Sequence, residues 1–417
     1  MSAPAKQAAT PFRLLLINEF FYPEDLGGTP AATSRLARGL CDDHGVQVSV
    51  LSRDNSYRDP GVKYAGHEDW NGVSITRVSA PDWSRSGVAK RFAGNFLFTL
   101  GCVKAARKLP KPDVVLLTSA PPTMPIAGIL VQLMKGTPYA YLMYDLEPDR
   151  TVALGVKPST AISVRVLRRW QSVWLRKATT VIAIGRCMRK VLMERYRLPS
   201  EQISIVEVGA EQGDADESSQ STAFRAKTGF KGFILLYAGN FGQYHDFTTL
   251  LDVAERLRSQ DSDFRFVLVG GGHKRDAVAA EVAHRQLTNV TMLPFAPQEE
   301  YNDLLASADA HLVTLDQGAE GLCVPSKFYS NLRSGRPVIA LMSPGAEVAL
   351  VIDEAKCGAV VPVGDADALI AALQEMRANP EETSAMGRRA REVFLKQYSM
   401  ELIVEKLHGV LCKAAFR

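Results

Sequence analysis

One acid and a serine–lysine pair, Glu320 with Ser326 and Lys327, form the chain's clearest chemical signal, within the stretch Ala308 to Ala340 (ADAHLVTLDQGAEGLCVPSKFYSNLRSGRPVIA). The pattern reads as a buried strand from His311 to Leu315, a glycine-containing loop carrying Glu320, and a helix opening at Pro325-Ser326-Lys327; Gly335-Arg336-Pro337 then leads into another apolar strand. A helix N-terminus offers unpaired backbone N–H groups and the positive end of the helix dipole, which suit a phosphate. Lys327 adds a full positive charge where the dipole alone favours an acid, so it reads as placed for an anion, against the plainer reading of a surface lysine. Glu320 lies five residues before Pro325, at the carboxyl end of the strand, where open α/β sheets take their ligands.

The elements that must hold these residues are strands alternating with helices. Phe12 to Ile17, Val46 to Leu51, Val73 to Val78, Val114 to Thr118, Pro138 to Met143, Thr180 to Gly185 and Ile203 to Val208 read as strands with helices between most of them. After a polar stretch from Gly209 to Thr222 the pattern restarts with Phe233 to Ala238, Phe264 to Val269 and Val290 to Leu293. The fold class is therefore α/β, with two doubly wound parallel-sheet domains: 1–210, 211–395, and a closing segment 396–417 whose amphipathic helix is expected to cross back onto the first domain. In the second half, loops at Gly239, at Gly270 and around Glu320 each follow a strand and carry glycine, so three backbone-lined loops are expected beside one another. Paired glycines at Gly27 and Gly28, ahead of a helix from Ala31 to Leu40, fit either close approach of a ligand or a tight turn. GxGxxG is absent there, which excludes the dinucleotide fingerprint.

With 46% hydrophobic and 23% charged residues the composition is that of a soluble globular protein. No apolar run reaches the roughly 18–20 residues a membrane span needs, and Met1 to Thr10 lacks the apolar core of a signal peptide, so the expected location is the cytoplasm. Six scattered cysteines without a CxxC pair fit reduced thiols rather than disulfides or a zinc site. Residues 1–210 hold 28 Lys and Arg against 17 Asp and Glu, and residues 211–417 hold 21 against 28. The first half is thus basic and expected to meet something anionic, a phospholipid surface or a phosphorylated acceptor. Nucleic acid is disfavoured because no basic run is interleaved with stacking aromatics. Two segments, 90–108 and 164–177, combine aromatic residues with Lys and Arg, as in helices lying at the inner-membrane interface; packing on the sheet with solvated arginines is the alternative.

These residues together resemble a family. The Gly-Gly loop after the first strand, the Gly239-Asn240-Phe241-Gly242 loop, Val269-Gly270-Gly271-Gly272, and Glu320-Gly321-Leu322-Cys323-Val324-Pro325 followed by Ser326-Lys327 and Ser334 to Ala340 are similar to a retaining glycosyltransferase of the GT-B fold. Ser119-Ala120-Pro121-Pro122, Lys135 to Tyr139 and Asp145-Leu146-Glu147-Pro148 resemble the signature of the subgroup that builds bacterial exopolysaccharide, capsule and O-antigen. The resemblance covers nearly the whole chain and implies two Rossmann-like domains facing across a cleft. It also implies transfer of a sugar from a UDP- or GDP-linked donor to a saccharide or polyprenyl-linked acceptor, and no cofactor.

Residue by residue, the resemblance implies that Glu320 contacts the donor sugar, and that backbone from Gly321 through Leu322 and Cys323 to Val324, with Ser326 and Lys327, holds the diphosphate. It implies that Gly27 and Gly28 face the reaction centre, that Asn240 stands where many relatives carry a phosphate-binding arginine, with Gly242 in the same loop, and that Gly271 and Phe295 lie at the nucleotide base. The family's second glutamate is Ser330 here, a shorter neutral partner for the ribose, and its spacing from Glu320 departs from the standard pair; a His of many relatives is Tyr144. Asp145 is read as positioning the acceptor or as a structural cap. No DxD motif follows a strand, so no essential metal is expected. The rival readings are a glycolipid-forming transferase, a nucleotide-sugar epimerase and a silent nucleotide-sugar-binding protein.

Overall fold

The computed structural model describes residues 12–24, 28–56, 59, 61–81, 83, 87–212, 222–260 and 263–416. The chain divides into two compact units, Met1–Val208 with Met400–Arg417, and Gly209–Ser399.

The first unit is built on eight strands: β1 (Arg13–Ile17), β2 (Gln47–Arg53), β3 (His67–Trp70), β4 (Val73–Val78), β5 (Val114–Thr118), β6 (Tyr139–Met143), β7 (Thr180–Ala183) and β8 (Ile203–Ile205). Their order is β3-β4-β2-β1-β5-β6-β7-β8, and every pair is parallel except β3 with β4. β5 and β6 are buried at every position, as strands covered on both faces must be. β3 is a hairpin arm that the alternation did not reveal: Trp70 pairs with Val73 across Asn71 (φ 49°) and Gly72 (φ 78°), a two-residue turn that needs positive φ at both positions. β8 stops at Ile205, short of the expected Val208. The helices Val88–Lys108, Met124–Lys135 and Ile162–Lys177 lie along one face of the sheet, each touching the next. Helix Gly28–His44 lies on the other, packed against the terminal helix Met400–Ala415. Gly39 makes that approach possible, because a Cβ there would stand 2.6 Å from Val404 Cγ2.

The second unit has six parallel strands, β9 (Phe233–Ala238), β10 (Phe264–Val269), β11 (Val290–Leu293), β12 (Ala310–Thr314), β13 (Val338–Leu341) and β14 (Gly358–Val361), in the order β11-β10-β9-β12-β13-β14. Counted within the unit this is 3-2-1-4-5-6, the doubly wound order, whose direction of winding reverses between β9 and β12. Period-two alternation builds a core on each face: Phe233, Leu235 and Tyr237 enter one cluster, Ile234, Leu236 and Ala238 the other. The residues of chemical interest therefore gather where β9 and β12 end.

Candidate functional site

At the carboxyl ends of β9 and β10 the backbone is stitched together before any side chain is considered. Gly239 N–H donates to Val269 O (2.9 Å), Phe241 N–H to Gly271 O (2.7 Å) and Lys274 N–H to Phe241 O (3.0 Å). Gly270, at φ 137°, is obligatory, since a Cβ there would lie 1.9 Å from Gly239 O. Phe241 is buried and stacks on Phe247, with ring centroids 4.8 Å apart, which anchors the loop from below. Asn240 stays exposed, with its side chain directly over Gly272, and Phe295, 49% exposed, lies over Gly271.

Into this corner comes Lys327. Its Nζ is buried without a hydrogen-bond partner, 3.6 Å from the centre of the Tyr237 ring, and its Cε sits 3.3 Å from where a Cβ of Gly239 would be. Cation–π attraction holds the ammonium there, yet loss of hydration pulls its pKa well below that of an ordinary lysine. A buried, unpartnered cation at a topological switch point is a charge waiting for an anion. One turn further along the same helix, Asn331 is buried with neither amide atom partnered.

Tyr237 also organises what surrounds the lysine. Its hydroxyl lies 2.5 Å from Asn240 O and 2.7 Å from His245 Nδ1. Gly242 N and Asn240 O lie 3.2 and 3.0 Å from that same Nδ1. Burial first, and then the charge of Lys327, push the pKa of His245 down to about 2, so the ring is neutral. Lys274 donates to His245 O (2.8 Å) and lies 3.3 Å from Asp316, whose carboxyl is raised by burial and held back by that lysine.

Around Lys327 the structure revises one expectation. The helix runs from Lys327 to Arg333, not from Pro325, and Phe328 and Tyr329 turn their N–H groups to Pro325 O and Ser326 O (3.1 and 3.2 Å). Two first-turn amides are thereby consumed and the helix has only seven residues, so the positive charge at this corner is chiefly that of Lys327 rather than of a helix dipole. Leu322 and Val324 are buried and offer only backbone; Gly321 turns at φ 71°; Ser326 is exposed and Cys323 half-buried. Glu320 accepts from the Ser343 hydroxyl at the end of β13. The Ser330 hydroxyl donates back to Lys327 O (3.2 Å) within its own helix. The second unit thus gathers Asn240, Gly242, Gly271, Phe295 and Lys327 at the ends of β9 and β10. The sequence reading missed Tyr237, His245, Asp316, Ser343 and Asn331; only Tyr237, a polar-tipped ring in an otherwise apolar strand, carried any signal.

Gly28 and Asp145 belong to the first unit, and Gly27 lies outside the described residues. Gly28 opens its helix at φ 71°. Ser119 Oγ accepts from the N–H groups of Tyr144 and Asp145 (3.1 and 3.2 Å), tying the Ser119 to Pro122 motif to the loop after β6. The Asp145 carboxylate remains 39% accessible, 3.6 Å from Arg150; loss of hydration raises its pKa and Arg150 opposes the rise. At the ends of β1 and β5, Asn18 bridges Thr33 (2.7 Å) and Thr118 (2.6 Å) in a buried network that fixes the loops on which Gly28 and Ser119 stand.

Comparison with known proteins agrees with this architecture. The "Glycosyl transferase 4-like domain" model matches residues 27–209, and the "Glycosyl transferases group 1" model matches residues 220–393. The chain is similar to "Probable glycosyltransferase WbjE" of Pseudomonas aeruginosa, 28% identical over 77% of this chain and 78% of that protein. It is also similar to "O-antigen chain mannosyltransferase C" of Escherichia coli, 22% identical over 94% and 96%. In fold it resembles Anabaena HepE crystallised with UDP and glucose, with a TM-score of 0.71 at 14% identity over 96% of this chain and 99% of that one. With a family model matched on each half and the doubly wound order in both sheets, the chain belongs to the glycosyltransferases of the GT-B fold.

Proposed function

We propose that this glycosyltransferase moves a sugar from a UDP- or GDP-linked donor to a saccharide or polyprenyl-linked saccharide during assembly of a bacterial surface polysaccharide, in the cytoplasm, with retention and without a metal. The observation that carries the reading is the Lys327 ammonium, buried and unpartnered at the switch point between β9 and β12. The similarity to an O-antigen chain mannosyltransferase and to HepE, which holds UDP, supports a surface-polysaccharide product and a nucleotide-sugar donor.

In this mechanism the bond between the anomeric carbon and the diphosphate oxygen breaks as an oxocarbenium-like sugar develops. The acceptor oxygen bonds to the same face, and its proton passes to the leaving phosphate oxygen. Lys327, its Nζ already shielded from solvent, stabilises the charge that builds on the diphosphate. The backbone from Gly321 to Val324, with Ser326, seats the phosphates, Glu320 orients the donor sugar, Ser330 reaches the ribose, Phe295 over Gly271 takes the base, and Asp145 positions the acceptor.

Thermal stabilisation across a panel of nucleotide sugars identifies the donor, since a ligand at 100 times its dissociation constant adds about 2.7 kcal/mol. Mass spectrometry of the stabilising donor with acceptors then separates the outcomes. Transfer with the anomeric configuration kept, persisting in EDTA, is the expected result. Isomerised donor means an epimerase, and binding without turnover means a silent binding protein, to which Ser330 at the second-glutamate position would point.

A further inference from the structure

Glu320 and Ser343 stand on the loops that follow β12 and β13, neighbouring parallel strands in which Thr314 lies opposite Leu341. The backbone fixes both positions. Leu315 N–H donates to Leu341 O (3.1 Å), which carries the pairing one residue past the end of β12. Two successive turns follow, with Ala319 N–H on Asp316 O (3.3 Å) and Leu322 N–H on Ala319 O (3.1 Å), and the buried Ala319 seats Glu320 between them. Beyond β13, Met342 N–H donates to Val361 O (2.9 Å) and Ala346 N–H to Ser343 O (3.0 Å), so Ser343 opens a turn of its own. Its hydroxyl donates to Glu320 Oε1. Capping does not explain that hydroxyl, because the next helix, Glu347–Ala355, has Ala346 as its N-cap and no side-chain bond there. Among the described residues Glu320 has this one hydrogen-bond partner and no ion pair. An ionised carboxylate only accepts, on either oxygen, and a glutamate side chain turns about several bonds. One donor on Oε1 removes that freedom and leaves Oε2 as the open acceptor.

We propose, on the reading that Glu320 orients the donor sugar, that Ser343 is a positioning residue that sets donor selectivity through Glu320. By engaging Oε1 it aims Oε2 at a single hydroxyl of the sugar. A carboxylate held this way meets a sugar O–H from one direction, so an epimer that moves that hydroxyl leaves the acid unpaired. A carboxylate free to turn follows the hydroxyl to its new position and discriminates less. Ser343 does this without touching the sugar, by ordering the acid before the donor arrives.

Isothermal titration of the full chain tests it, with the nucleotide sugar found by the stabilisation panel, its epimers at the ring hydroxyls, and UDP or GDP without a sugar. Ser343→Ala is expected to weaken the preferred donor about tenfold, the scale of one hydrogen bond to a charged group, while the sugar-free nucleotide binds within about twofold of the wild type. The preference for that donor over its best-bound epimer is expected to shrink by a similar factor. In a Glu320→Ala protein the same serine substitution is expected to change donor affinity by less than about twofold, because no carboxylate is left to aim. Ser343→Thr keeps the hydroxyl and is expected to restore the preference. Circular dichroism checks folding, and Ser343→Cys, nearly the same size with a weaker donor, replaces Ser343→Ala if that protein unfolds. Additive losses in the double variant, an unchanged epimer preference, or an equal loss for the sugar-free nucleotide overturns the proposal. If Glu320→Ala binds the donor like the wild type, the assignment of Glu320 to the sugar falls too; if it binds weakly while Ser343→Ala does not, only the role of Ser343 falls.

Discussion

Replacing Lys327 with methionine keeps the stem and removes the charge, and it should move stability and activity in opposite directions. In the free protein Nζ has no hydrogen-bond partner and lies over Tyr237. A buried donor left unsatisfied costs about 1–3 kcal/mol, more when charged, and the ring returns about 0.5–2 kcal/mol. The methionine variant is therefore expected to be more stable by about 1 kcal/mol, a rise of about 2–4 °C in the melting temperature of a unit this size. Turnover is expected to fall about 100-fold or more, the scale for removing one preorganised group that stabilises developing charge. Differential scanning calorimetry without ligand and initial rates with the identified donor measure the two effects. A variant that is less stable than the wild type by more than 1 kcal/mol and turns over within threefold of it would refute the reasoning, because Lys327 would then be a structural residue.

Gly270→Ala brings a Cβ to 1.9 Å from Gly239 O at φ 137°, so denaturant unfolding should show a loss of about 2–4 kcal/mol; a loss under 0.5 kcal/mol would mean the two strand ends are not held at this spacing. Burial pushes His245 down to about 2 and His311 to about 3, from 6.5. The unfolded chain takes up these protons as pH falls below about 6.5 while the native state does not, so the stabilisation is whole above pH 6.5 and lost progressively below it. At pH 5 each costs about 2 kcal/mol, and His311→Gln should flatten the drop measured between pH 7 and 5 by about that amount; an unchanged slope would contradict it. Ser330→Ala should raise the donor KM by up to about tenfold, as for one neutral hydrogen bond, and Ser330→Glu should lower it; equal KM values in all three proteins would remove Ser330 from the ribose.

What the sequence made legible follows from where its signals are strong. β5, β6 and β9 read plainly because strands buried on both faces are continuous apolar runs. Lys327 stood out as a charge against the expected sign of the helix dipole. The β3 hairpin carries a strong turn signal in Asn71-Gly72, but His67 to Trp70 lacks the alternating hydrophobicity that marks a strand. The residues that hold Lys327 were not legible, since Tyr237 and His245 meet it only once β9 and β12 are neighbours. The phosphate seat was expected chiefly at a helix end; the tight turn at Pro325 and Ser326 consumes two of those amides, which no pattern of residue types predicts.

Isothermal titration of UDP and of GDP into the wild type and Lys327→Met, across a series of pH values and in buffers of different ionisation enthalpy, tests the central claim most directly. Burial lowers the pKa of free Lys327 and a bound diphosphate raises it again, so protons are taken up between those two values. The account predicts proton uptake when one of these nucleotides binds the wild type, and its loss together with weaker binding in the methionine protein. Equal affinity in the two proteins, with no difference in proton uptake between them, would contradict it.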